Sequence, residues 1–250
     1  MIALLAMSSP PTLPAFRPLY DQIRALLIQS LESGEWKPGE AIPPEPDLAA
    51  RFGVSQGTVR KAIDALAADN LLLRRQGKGT FVASHTGPDH RHRFLRIVPD
   101  EGPKVAPVST LIDLARDKIS GPVARALQLR PGSSVIRFRR MLAFAGRPLV
   151  LDEMVLPATQ FPRLTLERLA EHSGSIYAFY EEAYGVRMIR AEERLRSVAA
   201  EAEPAQRLGV APGFPLLCVD RTAYTYGNVP VEWRRGLCLT DGYGYFNELA

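Results

Sequence analysis

Between Pro18 and Val82 the chain is cut by turn-forming residues into pieces too short for a long helix or a broad sheet. Gly34, Lys37-Pro38-Gly39, Gly53 and Gln76-Gly77-Lys78-Gly79 each close an element, which predicts three short helices followed by a tight hairpin. In residues 18–33, Leu19, Ile23, Leu26, Leu27 and Leu31 fall on one helical stripe. Residues 44–52 predict a second helix, with Pro46 in the first turn, where its missing N–H costs nothing. Ser55 is a good N-cap for a third helix over residues 56–69, which turns Val59, Ile63 and Leu66 inward and Gln56, Arg60, Lys61 and Asp64 outward. Residues 71–75 and 80–83 predict the hairpin strands, with a basic tip between them.

A short helix, a turn through Gly53 and a capped second helix form a helix-turn-helix pattern, in which the second helix can enter the major groove of DNA. Net charge alone is uninformative at +4, but six basic residues (Arg51, Arg60, Lys61, Arg74, Arg75, Lys78) face two acidic ones (Asp64, Asp69) between positions 51 and 81. Such a patch neutralises phosphates and releases counterions. Gln56 and Thr58, beside Gly57, are placed to reach base edges. The competing reading is a small helical subdomain with solvated arginines.

The ordered run of Pro18-Leu19-Tyr20, Pro38-Gly39, Glu45, Leu48-Ala49, Phe52-Gly53-Val54-Ser55, Thr58-Val59-Arg60 and Arg75 to Val82 resembles the winged helix-turn-helix of GntR-family bacterial transcription regulators. The resemblance implies DNA contacts from Ser55, Gln56, Gly57, Thr58, Arg60 and Lys61 on the recognition helix, and from Arg75, Gln76, Gly77 and Lys78 on the wing. It further implies a homodimer on a palindromic double-stranded operator. Pro44 and Pro46 stand where the family commonly has Ser and Arg, and Gln56 where it commonly has Arg, so the operator is expected to differ from the family's usual one.

At 250 residues and 46% hydrophobic, the chain has room for a second core, and collagen, coiled-coil and disordered classes are excluded. The polar stretch 84–93 predicts a linker. Beyond it, strands are expected at 134–144, 149–156, 187–199, 215–226 and 230–239, and helices at 123–129, 176–184 and 204–208, giving an α+β domain with an antiparallel sheet. Arg140, the AGRPLVLDEMVLP hairpin, Ser175-Ile176-Tyr177, Tyr184-Gly185-Val186, Leu208-Gly209-Val210, Arg221 and Pro230-Val231-Glu232 resemble the UTRA effector-binding domain of HutC-like regulators, which has a chorismate-lyase-like fold of antiparallel sheet and flanking helices. The expected organisation is therefore a head at 14–84, a linker at 85–93 and an effector-binding and dimerisation domain at 94–250.

That resemblance implies a small anionic effector held by Arg140, Asp152, Ser175, Tyr177 and Glu232. Arg140 would clamp an anionic group, Ser175 and Tyr177 would add hydroxyls at a helix N-terminus, and Glu232 would accept hydrogen bonds from the ligand. A salt bridge from Arg140 to Asp152 or Glu153 is the competing role. Leu142 replaces a second family arginine and Cys238 a tyrosine, so with one clamp a monocarboxylate is expected over a dianionic phosphate.

Other chemistries are weaker. His85, His90 and His92 cluster with Asp89 but lack the regular spacing of a helical metal site, and no metal or cofactor is expected. Cys218 and Cys238 are expected to fill the core, with a redox switch as the alternative. No nucleophile elbow or phosphate-binding loop is present, and Glu192 and Glu193 on a strand face opposite ways, so catalysis is not expected. An enzyme on the chorismate-lyase-like fold and a DNA-binding dimer without a ligand are the alternatives to an effector-responsive repressor. Met1 to Met7 is apolar without a basic flank, no apolar run of membrane-spanning length follows, and two cysteines suit a reducing compartment, so a cytoplasmic protein with no membrane partner is expected.

Overall fold

The computed structural model describes residues 17–85, 95–172 and 174–248, and the chain divides into two compact units, Met1–Ala83 and Ser84–Ala250. In the first unit, α1 (Leu19–Glu32), α2 (Glu45–Phe52) and α3 (Gln56–Ala68) precede a hairpin of β1 (Leu72–Arg75) and β2 (Gly79–Val82). Gly53 ends α2 in the left-handed conformation (φ 64°), and Ser55 caps α3 by accepting the Thr58 N–H at 3.2 Å. Leu27, Leu48, Val59, Ile63, Leu66 and Leu72 are buried together. Leu19 and Leu26 are exposed at 51% and 42%, so the predicted α1 stripe narrows to Ile23, Leu27 and Leu31.

The second unit is a six-stranded antiparallel sheet in the order β4-β5-β6-β9-β8-β7. Its strands are β4 (Val108–Lys118), β5 (Ser134–Phe144), β6 (Arg147–Pro157), β7 (Arg190–Ala199), β8 (Pro215–Tyr224) and β9 (Pro230–Cys238). A separate pair joins β3 (Ile97–Pro99) to β10 (Tyr243–Tyr245). Helices α5 (Leu166–Glu171) and α6 (Ile176–Tyr184) cover one apolar cluster around Phe138, Met154, Phe161 and Tyr180. A second cluster packs α7 (Ala202–Leu208) against Val150, Leu216 and Leu239, and α4 (Gly121–Ala126) lies on Val155 and Trp233. Among the described residues no helix is long and apolar enough to cross a membrane.

The expected strand at 187–199 and the start of the expected linker are both revised. Strand β7 starts at Arg190 because Arg187 and Met188 turn inward, where Arg187 is 4% exposed and meets Glu181. The expected linker begins with two fixed residues: the Ser84 hydroxyl and the His85 N–H donate to Glu181, and His85, 3% exposed, has its Nε2 2.7 Å from the Met188 carbonyl. His85 is therefore a packed side chain away from solvent metal, whereas His90, His92 and Asp89 lie outside the described residues. Cys218 pairs with Leu237 and Cys238 with Leu217, so the two thiols project from opposite faces of the sheet and cannot form a disulfide with each other. Burial pushes the Cys238 thiol up to about 12, which keeps it unreactive.

Candidate functional site

In the head, Gln56, Gly57, Arg60 and Lys61 are exposed along α3, and Thr58 is half-buried with its hydroxyl 2.9 Å from that of Ser55. A Cβ on Gly57 would meet only the Ser55 hydroxyl, at 3.8 Å, so packing within the unit does not require glycine there. Arg60 is oriented by Glu45, the first residue of α2, through bonds of 2.9 and 2.8 Å. Glu45 also holds Arg74 at 3.0 Å, while Arg74 reaches Asp64 at 2.7 Å. The Arg60 guanidinium keeps the Glu45 carboxyl below its ordinary range. In the sequence Glu45 stands only as part of the family pattern, with no role of its own, whereas the pairing makes it the support of Arg60 and Arg74. Lys61 lies 4.1 Å over the Tyr20 ring, and Arg75 lies 4.8 Å over Phe81. Gln76, Gly77 and Lys78 are exposed at the hairpin tip, where Gly77 takes a positive φ of 69°. Arg51 is committed elsewhere, paired with Glu35.

In the second unit, strand register assembles a polar row on one face of the sheet. Arg140 opposes Asp152, Asp152 opposes Gly236, and Arg221 opposes both Arg234 and Glu193. Because side chains alternate, Glu232, Arg234 and Gly236 share that face. Asp152, fully buried, accepts from Arg140 Nε at 3.0 Å and from Arg234 Nε at 2.7 Å. Arg221 pairs with Glu193 at 2.6 Å and donates to the Tyr177 hydroxyl at 3.2 Å. The Tyr177 and Tyr180 hydroxyls in turn donate to the two oxygens of Glu232, at 2.9 and 3.0 Å. Burial pushes the Glu232 carboxyl up, opposed by Arg234, and pushes the Tyr177 hydroxyl up to about 12.

Over this row lies a cavity of about 610 Å³, lined by Arg140, Arg221, Arg234, Ser175 and Tyr177 and by apolar side chains of β4, β5, α5 and α6. Ser175 caps α6 by accepting the Ala178 N–H at 3.1 Å. Of the sequence-derived effector residues, Arg140, Ser175 and Tyr177 thus line the cavity, while Asp152 and Glu232 lie beneath it as supports. Glu232 has both oxygens taken by tyrosines, which corrects its expected role as a direct ligand acceptor. The premise of a single cationic clamp also fails, because Arg221 and Arg234 join Arg140. The signal for Arg234 was present in the alternation of β9, where charged Glu232 and Arg234 interleave with Val231 and Trp233, whereas Arg221, on β8, was named only as part of the family pattern.

Gly236 leaves room for the shared carboxylate, since a Cβ there would lie 3.1 Å from Asp152 Oδ1. Gly236→Ala is expected to destabilise the second unit by about 1–3 kcal/mol through overpacking, read as a lower urea midpoint. An unchanged midpoint would show that the carboxylate yields freely.

Residues 19–82 match the family "Bacterial regulatory proteins, gntR family", and residues 104–243 match the UTRA domain. The probable transcriptional regulator PhnF of Escherichia coli (strain K12) is 33% identical over 227 residues, 89% of this chain and 91% of PhnF. The transcriptional repressor NagR of Bacillus subtilis (strain 168) is 28% identical over 229 residues, 91% of this chain and 93% of NagR. The crystal structure of the ligand-binding domain of a GntR-family regulator from Bordetella bronchiseptica covers 64% of this chain and 99% of its own, at 48% identity and a TM-score of 0.62. A DNA-binding head and an effector domain on one chain, with regulators as relatives over nearly the full length, lead to one assignment: the protein belongs to the GntR family of bacterial transcription regulators, HutC-like in joining a winged helix-turn-helix to a UTRA domain.

Proposed function

We propose that the protein is a homodimeric repressor, working in the cytoplasm, that leaves a palindromic operator when a small anionic metabolite enters the second unit. The observation that carries this reading is the arginine-floored cavity on the same chain as an exposed recognition helix and a basic wing. The DNA contacts are assigned to Ser55, Gln56, Gly57, Thr58, Arg60 and Lys61 on α3 and to Arg75, Gln76, Gly77 and Lys78 on the wing. The effector contacts are assigned to Arg140, Arg221, Arg234, Ser175 and Tyr177, with Asp152 and Glu232 holding them in place. In a dimer, each head would take one half-site, with half-sites about one turn of DNA apart, roughly 34–36 Å. Effector binding would favour a geometry that no longer fits that spacing, and operator must weaken effector binding by the same factor.

The test is selection of random duplexes by the purified protein, followed by challenge of the complex with small carboxylates and phosphates. Enrichment of a palindrome that one compound releases is the expected result. Enrichment without release by any compound would favour a ligand-independent DNA-binding dimer, and no enrichment would remove the repressor reading.

Within the head, Arg60→Ala is expected to weaken binding to all duplexes and to reduce the salt slope by about 1 per half-site, about 2 for the dimer, whereas Gln56→Ala is expected to relax discrimination at one base position by about 1–3 kcal/mol. Fluorescence anisotropy on matched and mismatched duplexes separates the two. Equal losses on every sequence from both variants would overturn this division.

A further inference from the structure

We infer that the cavity takes a monocarboxylate with an apolar body, in preference to a dianionic phosphate ester; this deepens, and rests on, the effector-binding reading above. Three arginines on its floor suggest a dianion at first sight, but their partners decide the charge. Asp152 is shared by Arg140 and Arg234, so those three groups together carry one positive charge. Arg221 is matched by Glu193. Glu232, beneath them, makes the floor neutral when ionised and leaves it at one positive charge when protonated. In neither state does the floor supply two positive charges, and its arginine side chains are only 4–13% exposed, so water compensates poorly for an unmatched charge. His172, another titratable side chain on the lining, faces Glu182 at 3.8 Å.

The hydrogen-bond donors lead to the same ligand class. Arg140 gives its Nε to Asp152, and among the described residues neither of its Nη atoms has a protein acceptor. Those two parallel N–H groups fit the two oxygens of one carboxylate. Away from the arginines, Leu111, Leu142, Leu166, Leu169, Ile176 and Phe179 form an apolar wall. Leu142, two positions after Arg140 and on the same face of β5, extends that wall beside the proposed clamp. A ligand that answers both halves carries one carboxylate at one end and hydrocarbon along the rest.

The test is isothermal titration of the full chain with straight-chain carboxylates of four to twelve carbons, with phenylalkanoates, and with alkyl phosphates of the same lengths held at pH 8. Carboxylate affinity is expected to rise about fourfold per added methylene until the cavity is full. Matched phosphates are expected to bind at least tenfold more weakly, and Arg140→Ala to remove carboxylate binding while the protein retains its thermal transition. Tighter binding of the phosphates, affinity independent of chain length, or binding of neither series would overturn the inference. Operator binding measured in parallel separates the two levels. A ligand-free protein that holds a palindrome while the carboxylates fail loses only the ligand class, whereas carboxylates that bind without changing operator affinity refute the coupling and leave the ligand class standing.

Discussion

Replacing Asp152 by alanine is expected to cost the second unit about 3–5 kcal/mol, the range for removing one partner of a buried ion pair. The carboxylate is fully buried and holds both Arg140 and Arg234, so its loss leaves two guanidinium groups at 13% and 11% exposure without their counter-charge. Hydrophobic packing around the row cannot repair this, because the opposing position in β9 is Gly236. The chain's two tryptophans make the measurement selective: Trp36 lies in the first unit and Trp233 in the second. Urea unfolding in a Trp36→Phe background reports the second unit alone, and the expected variant shows a lower midpoint with little change in slope. A loss under about 1 kcal/mol would mean that water reaches the arginines and that the pair is effectively a surface one.

Operator affinity is expected to fall about ten-thousandfold between 50 and 200 mM salt. If Arg60, Lys61, Arg75 and Lys78 each neutralise one phosphate and two protomers bind together, about eight phosphates are covered, which gives a slope near −7 on logarithmic axes. The estimate rests on the proposed dimer and on these exposed side chains. Lys61 lies over Tyr20 and Arg75 over Phe81, so in the proposed complex these rings would limit the freedom the two side chains lose on binding. Anisotropy titrations at four salt concentrations give the slope directly. A slope shallower than about −2 would remove these cations from phosphate contact and place the affinity in the base edges.

The first unit was legible because its signals are local. Gly53, Ser55 and the Gln76 to Gly79 turn act within a few residues of themselves, and the elements they bound were read within a residue or two. The second unit was legible only in part, since its strands owe their place to partners distant in sequence. β4 was missed altogether: it lies at the sheet edge, has a register shift between Leu111 and Asp113, and is exposed at both ends, so it lacks strict apolar alternation. The polar row beneath the cavity was half read for a similar reason. Arg140 stood beside a recognisable hairpin, whereas Arg221 and Arg234 join it only through the pairing of β8 with β9. Ser84 and His85 were assigned to the linker because they are polar, but a buried carboxylate, Glu181, gives that short polar stretch a place to bind.

The six-stranded sheet also has two open margins, β4 and β7, of 11 and 10 residues. Strands that long offer backbone to any extended chain that drifts alongside, a hazard for a protein made in a crowded cell. Arg190, Glu192, Arg194 and Arg196 are exposed along β7, and Arg116, Asp117 and Lys118 are exposed at the end of β4. The register shift adds a local bend to the β4 margin. Charge and curvature at these margins disfavour runaway edge-to-edge growth, so the protein is equipped to remain dispersed as it accumulates, and neutralising the β7 arginines would expose it to aggregation before any loss of fold.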